Sequence, residues 1–87
     1  MVWLMREIDT HNMLHSDAVE YVEDVVLEES LKSKMFSVKV ITGNSQRLQR
    51  RIEKEVCKKH NLKSEIPHNN LGTMVIYETK IIWENYY

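Results

Sequence analysis

Apolar residues occur in short blocks separated by polar breaks, and the period within each block predicts an element. Residues 2–8 are apolar and rich in β-formers, and a polar stretch begins at Asp9, so a first strand is expected there. From about residue 16 to residue 31 the period changes. Ala18, Val19, Val22, Val25 and Val26 fall at three- and four-residue steps and predict one apolar stripe on a helix, with Glu20, Glu23, Asp24 and Glu28 on its other faces. Ser16 is the expected cap, and Asp17 suits the positive first turn. Valines lower intrinsic helix propensity, so this helix should depend on packing against a sheet.

Residues 35–41 predict a second strand that ends in a short polar turn at 42–45. A second helix is expected over about 46–60, with Leu48, Ile52 and Val56 spaced four apart. Residues 62–66 predict a short strand before Pro67, residues 68–72 the clearest loop, and residues 73–77 a last core strand. Ile81, Ile82 and Trp83 prolong that strand, bend back as another, or pack as a tail. The βαβαββ order implies an α/β fold, with two helices on a mostly parallel or mixed sheet of four to five strands. Ligands of such sheets sit beyond the carboxyl ends of parallel strands. The loops at 9–14 and 42–45 should therefore lie side by side.

Composition narrows the class. The chain has 87 residues, 43% of them apolar, with two glycines and one proline. That suits a single globular domain with a thin core. No apolar run approaches the roughly 20 residues that span a bilayer, and no signal-peptide pattern opens the chain. Cys57 is the lone cysteine, which excludes an internal disulfide and fits a reducing, cytoplasmic location. One cysteine and four scattered histidines lack the spacing of a structural zinc site.

The net charge of −1 hides a strong polarity: residues 1–34 carry −5, residues 35–63 carry +6 and residues 64–87 carry −2. A basic middle third in a near-neutral chain points to a local anionic partner.

Chemistry-bearing residues cluster at the sheet-end loops. Asp9 and His11 are two apart at a strand end, so they can share a face. A carboxylate beside an imidazole fixes its tautomer and makes a proton-transfer pair. The plainer alternative is a turn-capping aspartate beside an ordinary loop histidine.

Thr42, Gly43, Asn44 and Ser45 form a strand-to-helix turn whose backbone amides, with the helix dipole, favour a phosphate. The alternative is a plain turn with Asn44 or Ser45 as the helix cap. Arg47, Arg50, Arg51 and Lys54 follow at three- and four-residue steps and form a basic ridge suited to phosphate contacts, or a solvated face. Asn70 and Gly72 either border the same groove or serve a loop. His15, His60 and His68 have no evident partner, and Cys57 lies off the apolar stripe without a local base. Trp3, Trp83, Tyr86 and Tyr87 suit base stacking or packing, with packing the better reading for the tryptophans.

Taken in order, these residues resemble the Smr (small MutS-related) domain family. Asp9-Thr10-His11 leaves the first strand before the acidic helix containing Ala18-Val19-Glu20-Tyr21-Val22-Glu23. Val40-Ile41-Thr42-Gly43 resembles the second signature, a strand ending T-G-x-G or H-G-x-G. Asn70-Leu71-Gly72 with Met74-Val75-Ile76 resembles the closing segment. The similarity covers about residues 5–78, leaving 79–87 as an extension. It implies a small α/β sandwich, likened to the C-terminal domain of a bacterial initiation factor and part of DNase I. It also implies nicking of DNA or cleavage of messenger RNA at stalled ribosomes.

On that resemblance Asp9 and His11 are the candidate catalytic pair, Thr42 and Gly43 belong to the glycine signature, and Arg47 or Arg50 is the basic residue after it. Asn12 and Ser45 stand where family members often carry glycine, and the glycine loop is shorter.

The expected activity is a nucleic-acid endonuclease, RNA slightly favoured over DNA, with no resident cofactor implied. A divalent metal, if used, would find its natural ligands in Asp9 and His11, a sparse set. The rival expectations are a non-cutting RNA, DNA or ribosome-binding module, and a protein adaptor using the acidic helix or the aromatic tail. A monomer is expected, with self-association through the edge at 81–83 as the alternative.

Overall fold

A computed structural model describes residues 5–33 and 35–78. The expectations for Trp3, for the strand or tail at 81–83 and for the terminal tyrosines lie outside these residues. The elements run β1 (Arg6–Asp9), α1 (His15–Lys32), β2 (Phe36–Ile41), α2 (Gln46–Ile52), β3 (Lys63–Glu65) and β4 (Thr73–Glu78). A π-helical turn, Glu53–Cys57, continues α2.

The four strands form one mixed sheet in the order β1-β2-β4-β3. β1 runs parallel to β2, while β4 is antiparallel to both β2 and β3. This is the expected α/β class, with four strands among the described residues.

The alternation along β2 decides which face is covered. Phe36, Val38 and Val40 are buried, whereas Ser37, Lys39 and Ile41 are half-buried. Register sets Val38 opposite Ile76 and Val40 opposite Met74, all four fully or almost fully buried, and Ile8 lies beside Val40. α1 packs on β2 and on α2, so both helices share that face. Burying each of these aliphatic side chains is worth about 1.5–3 kcal/mol.

α1 contributes the expected stripe, Ala18, Val19, Val22, Val25 and Val26, all buried. Its start differs from expectation. Leu14 occupies the cap position with no side-chain cap, and Ser16 falls inside the first turn. The far end is tied to the sheet by Arg6, which donates to Glu28 at 2.6 Å and to Glu29 at 3.2 Å.

The second helix is shorter as an α-helix than its pattern predicts. The amide of Lys58 donates to Glu53 O at 2.9 Å, and that of Leu62 to Cys57 O at 2.7 Å, both five-residue steps. The wider turn rotates the chain so that Val56 and Cys57 both enter the core, at 0% and 2% exposure. Cys57 is thus on the buried face, not off it as expected. Asn61 then adopts φ 56°, the left-handed conformation that commonly ends helices. His60 also gains a partner absent from the sequence reading: its Nε2 donates to Glu23 of α1 at 2.7 Å.

Candidate functional site

Parallel pairing of β1 with β2 places Asp9 opposite Ile41, so the loops that follow leave the sheet together. Thr10 locks them. It is completely buried, and both its amide (2.8 Å) and its hydroxyl (3.0 Å) donate to Ile41 O. The residues flanking it must then point outward. His11 Nδ1 donates to Asp9 Oδ1 at 2.5 Å, and the His11 amide donates to the same oxygen at 3.1 Å. The ring bond, and then the amide bond, hold the Asp9 carboxyl below its ordinary range. With Nδ1 engaged, Nε2 is the ring nitrogen left for a ligand. The pair lies at the surface, about half exposed.

Gly43 sits directly against this pair. Its φ is +68°, and a β-carbon built on it would lie 3.3 Å from His11 Cβ. The turn needs a residue that tolerates left-handed backbone and takes up no room.

The third loop, 67–72, closes on the same spot. Gly72 O accepts from the amides of Thr42 (2.9 Å) and Gly43 (3.1 Å). The expected bed of free amides is therefore corrected at Thr42 and Gly43: both N–H groups are already engaged within the fold. Thr42 is buried, and its hydroxyl lies within reach of the carbonyls of Gly43 and Gly72, so it is a structural member of the turn. Ser45 caps α2, its hydroxyl accepting from the Leu48 amide at 3.2 Å. Asn70 shapes its own loop by accepting from the Gly72 amide at 3.3 Å. Gly72 has no positive φ, and an added β-carbon would meet only ordinary contacts; its carbonyl, not its small size, matters here.

Gln49 and Thr10 are the members that sequence reasoning missed. Gln49 is 6% exposed and donates to Thr42 Oγ1 and to Leu71 O, both at 2.9 Å, stitching α2 to two loops. A polar residue beside an apolar stripe defaults to the surface in a pattern reading. Thr10 had a usable signal: where Asp9 and His11 point outward, the residue between them must point in.

The basic ridge is only partly available. Arg51 pairs with Glu55 through two bonds, at 2.8 and 3.4 Å. Among the described residues Arg47 and Arg50 form no ion pair. Arg47, Arg50, Arg51 and Lys54 line an open trough of about 390 Å³. A second cleft of about 340 Å³ lies between α2 and the β3–β4 loop, and Arg50 borders it too. Asp9 and His11 line neither.

Among the described residues no three His, Cys, Asp or Glu side chains converge as a metal site, and no helix is long and apolar enough to cross a membrane. The chain matches no protein-family model, no curated protein and no solved structure.

Proposed function

We propose that the chain is a nucleic-acid endonuclease of the Smr type, acting on RNA or DNA with RNA slightly favoured. The observation that carries this reading is the Asp9–His11 pair held against the Gly43 turn, next to a helix start with two unpaired arginines. The strand's phosphates lie along the Arg47–Arg50 trough, at the positive end of α2.

On RNA, the 2′-oxygen attacks the adjacent phosphorus and the bond to the 5′-oxygen breaks. The products are a 2′,3′-cyclic phosphate and a 5′-hydroxyl. His11 Nε2 takes the proton from the 2′-hydroxyl, and the imidazolium so formed returns it to the leaving 5′-oxygen. Asp9 is the positioning residue: it holds the Nδ1 proton and so keeps Nε2 in the acceptor form. This route uses only groups of the chain.

The test incubates pure protein with labelled single-stranded RNA and with supercoiled DNA, with and without chelator. His11→Ala should lower cleavage at least about tenfold, a floor beneath the roughly 10²- to 10⁴-fold typical of general acid–base catalysis. Unchanged cleavage by a folded His11→Ala protein removes the role.

A second reading is a binding module that does not cut. The exposure of Asp9 and His11, outside both clefts, favours it. Binding without cleavage, weakened by Arg47→Ala or Arg50→Ala and indifferent to His11→Ala, would establish it. Each of these two substitutions should then reduce the salt dependence of binding by about one ion.

A further inference from the structure

The cleft between α2 and the β3–β4 loop is not used by phosphate chemistry at Gly43, and its lining is unlike the basic trough beside it. One wall is apolar: Leu71 is 63% exposed and Ile66 38%. The other carries the Arg50 side chain, one turn along α2 from Gln46. Glu53, at the start of the π-helical turn, adds an exposed carboxylate, and Asn44 and Gln46 add amides. Gln49 also lines the cleft, its buried side-chain nitrogen engaged with Thr42 and Leu71.

An acidic group in a cleft that borders a phosphate-binding trough would repel the backbone of the strand. It suits a ligand edge that only donates. Resting on the nucleic-acid reading above, we propose that this cleft is a nucleobase subsite that receives an unpaired guanine of the bound strand.

The chemistry is specific. A base has two faces and a polar edge. Leu71 and Ile66 cover one face while the Arg50 guanidinium stacks on the other, a recurrent way of holding splayed bases. Guanine presents two adjacent donors, N1–H and the N2 amine, to the paired oxygens of a carboxylate. Adenine, cytosine and uracil have no such pair. A volume of about 340 Å³ is at the small end of ligand pockets, room for one base with part of its sugar. A base stacked in a duplex cannot enter it, so the occupant comes from a single strand. Asn44 links the two sites, since it lies on the glycine turn and also lines the cleft.

The experiment measures binding of fluorescent uridine dodecamers carrying one central guanosine, inosine, adenosine or no replacement, in low salt with chelator. The guanosine strand should bind at least about fivefold tighter than the all-uridine strand, within the range of a paired base contact. Inosine, which lacks the N2 amine, should lose most of that gain. Glu53→Gln should shrink the guanosine-to-uridine ratio to within about twofold and move preference toward adenosine, which pairs with an amide. Leu71→Ala should shrink the ratio as well.

Equal affinity of the protein for the guanosine and uridine strands overturns the subsite while leaving the nucleic-acid reading intact. So does an unchanged ratio in folded Glu53→Gln protein. Displacement by guanosine 5′-monophosphate at strand-like affinity would make a free nucleotide, not a strand, the occupant. Failure to bind any strand overturns both readings at once.

Discussion

A β-carbon at Gly43 would come within 3.3 Å of His11 Cβ, although the two residues are 32 apart in the chain. The glycine turn and the imidazole pair are therefore one structure, and a change in the turn must move the ring. Gly43→Ala places an L-residue at φ +68°, which costs about 1–2 kcal/mol, before the crowding against His11 is counted. Gly72→Ala has neither problem and should change stability by less than about 1 kcal/mol. Urea unfolding of the two variants checks the contrast. Equal losses would show that the Gly43 turn is not under this constraint.

Gln49 should matter more than its chemistry suggests. Replacing it with leucine removes the donor to Thr42 Oγ1, a buried bond, and to Leu71 O, a part-buried one. Leaving buried acceptors unsatisfied costs about 1–3 kcal/mol. The loops should also loosen locally. Amide exchange at Thr42 and Gly43, both bonded to Gly72 O, should accelerate in Gln49→Leu more than in an equally destabilised core variant. Matched exchange in the two would remove Gln49 from the loop assembly.

The helix pair carries an acid-sensitive clamp. Glu23 accepts from His60 at 2.7 Å and from Lys59 at 3.0 Å, and these bonds hold its carboxyl below the ordinary 4.5. A depressed carboxylate stabilises the fold above its unfolded value, and loses that contribution as pH falls through the lower, folded one. Glu23→Gln should therefore cost about 1 kcal/mol at pH 7, with the difference from the parent shrinking as pH falls below the ordinary carboxylate range and through the lower, folded value. Urea midpoints across that acid range decide it, and a gap that does not shrink in acid would mean that the charge is not the source.

Cys57 should be chemically quiet. Burial pushes its thiol up to about 11 from 9.0. At neutral pH the native protein then holds about a hundredfold less thiolate than the unfolded chain, and thiolate is the reactive form. Alkylation by iodoacetamide should be slower in native than in denatured protein by at least that factor. Rapid native labelling would mean that the π-helical turn opens.

Much of this molecule follows from local pattern. The period-two blocks and the Ala18–Val26 stripe set the elements and the buried face, because alternation and helical spacing are properties of the backbone itself. Asp9 and His11 could be paired from their spacing for the same reason. The exact end of α2 was not legible: a π-helical turn depends on whether Val56 and Cys57 can both be accommodated in the core, which is a packing question.

The state of the Gly43 amide belongs to the same class. Its partner is the carbonyl of Gly72, 29 residues away, and only the antiparallel return of β4 beside β2 brings that carbonyl to it. Likewise the cleft of Arg50, Glu53, Ile66 and Leu71 has no signature in the chain, since helix and loop residues become neighbours only when the sheet joins them. The sequence by itself determined which residues were polar at the sheet ends and which strands and helices carried them. Tertiary structure decided which of their donors and acceptors were already engaged, because a hydrogen bond between distant segments exists only once the chain has closed.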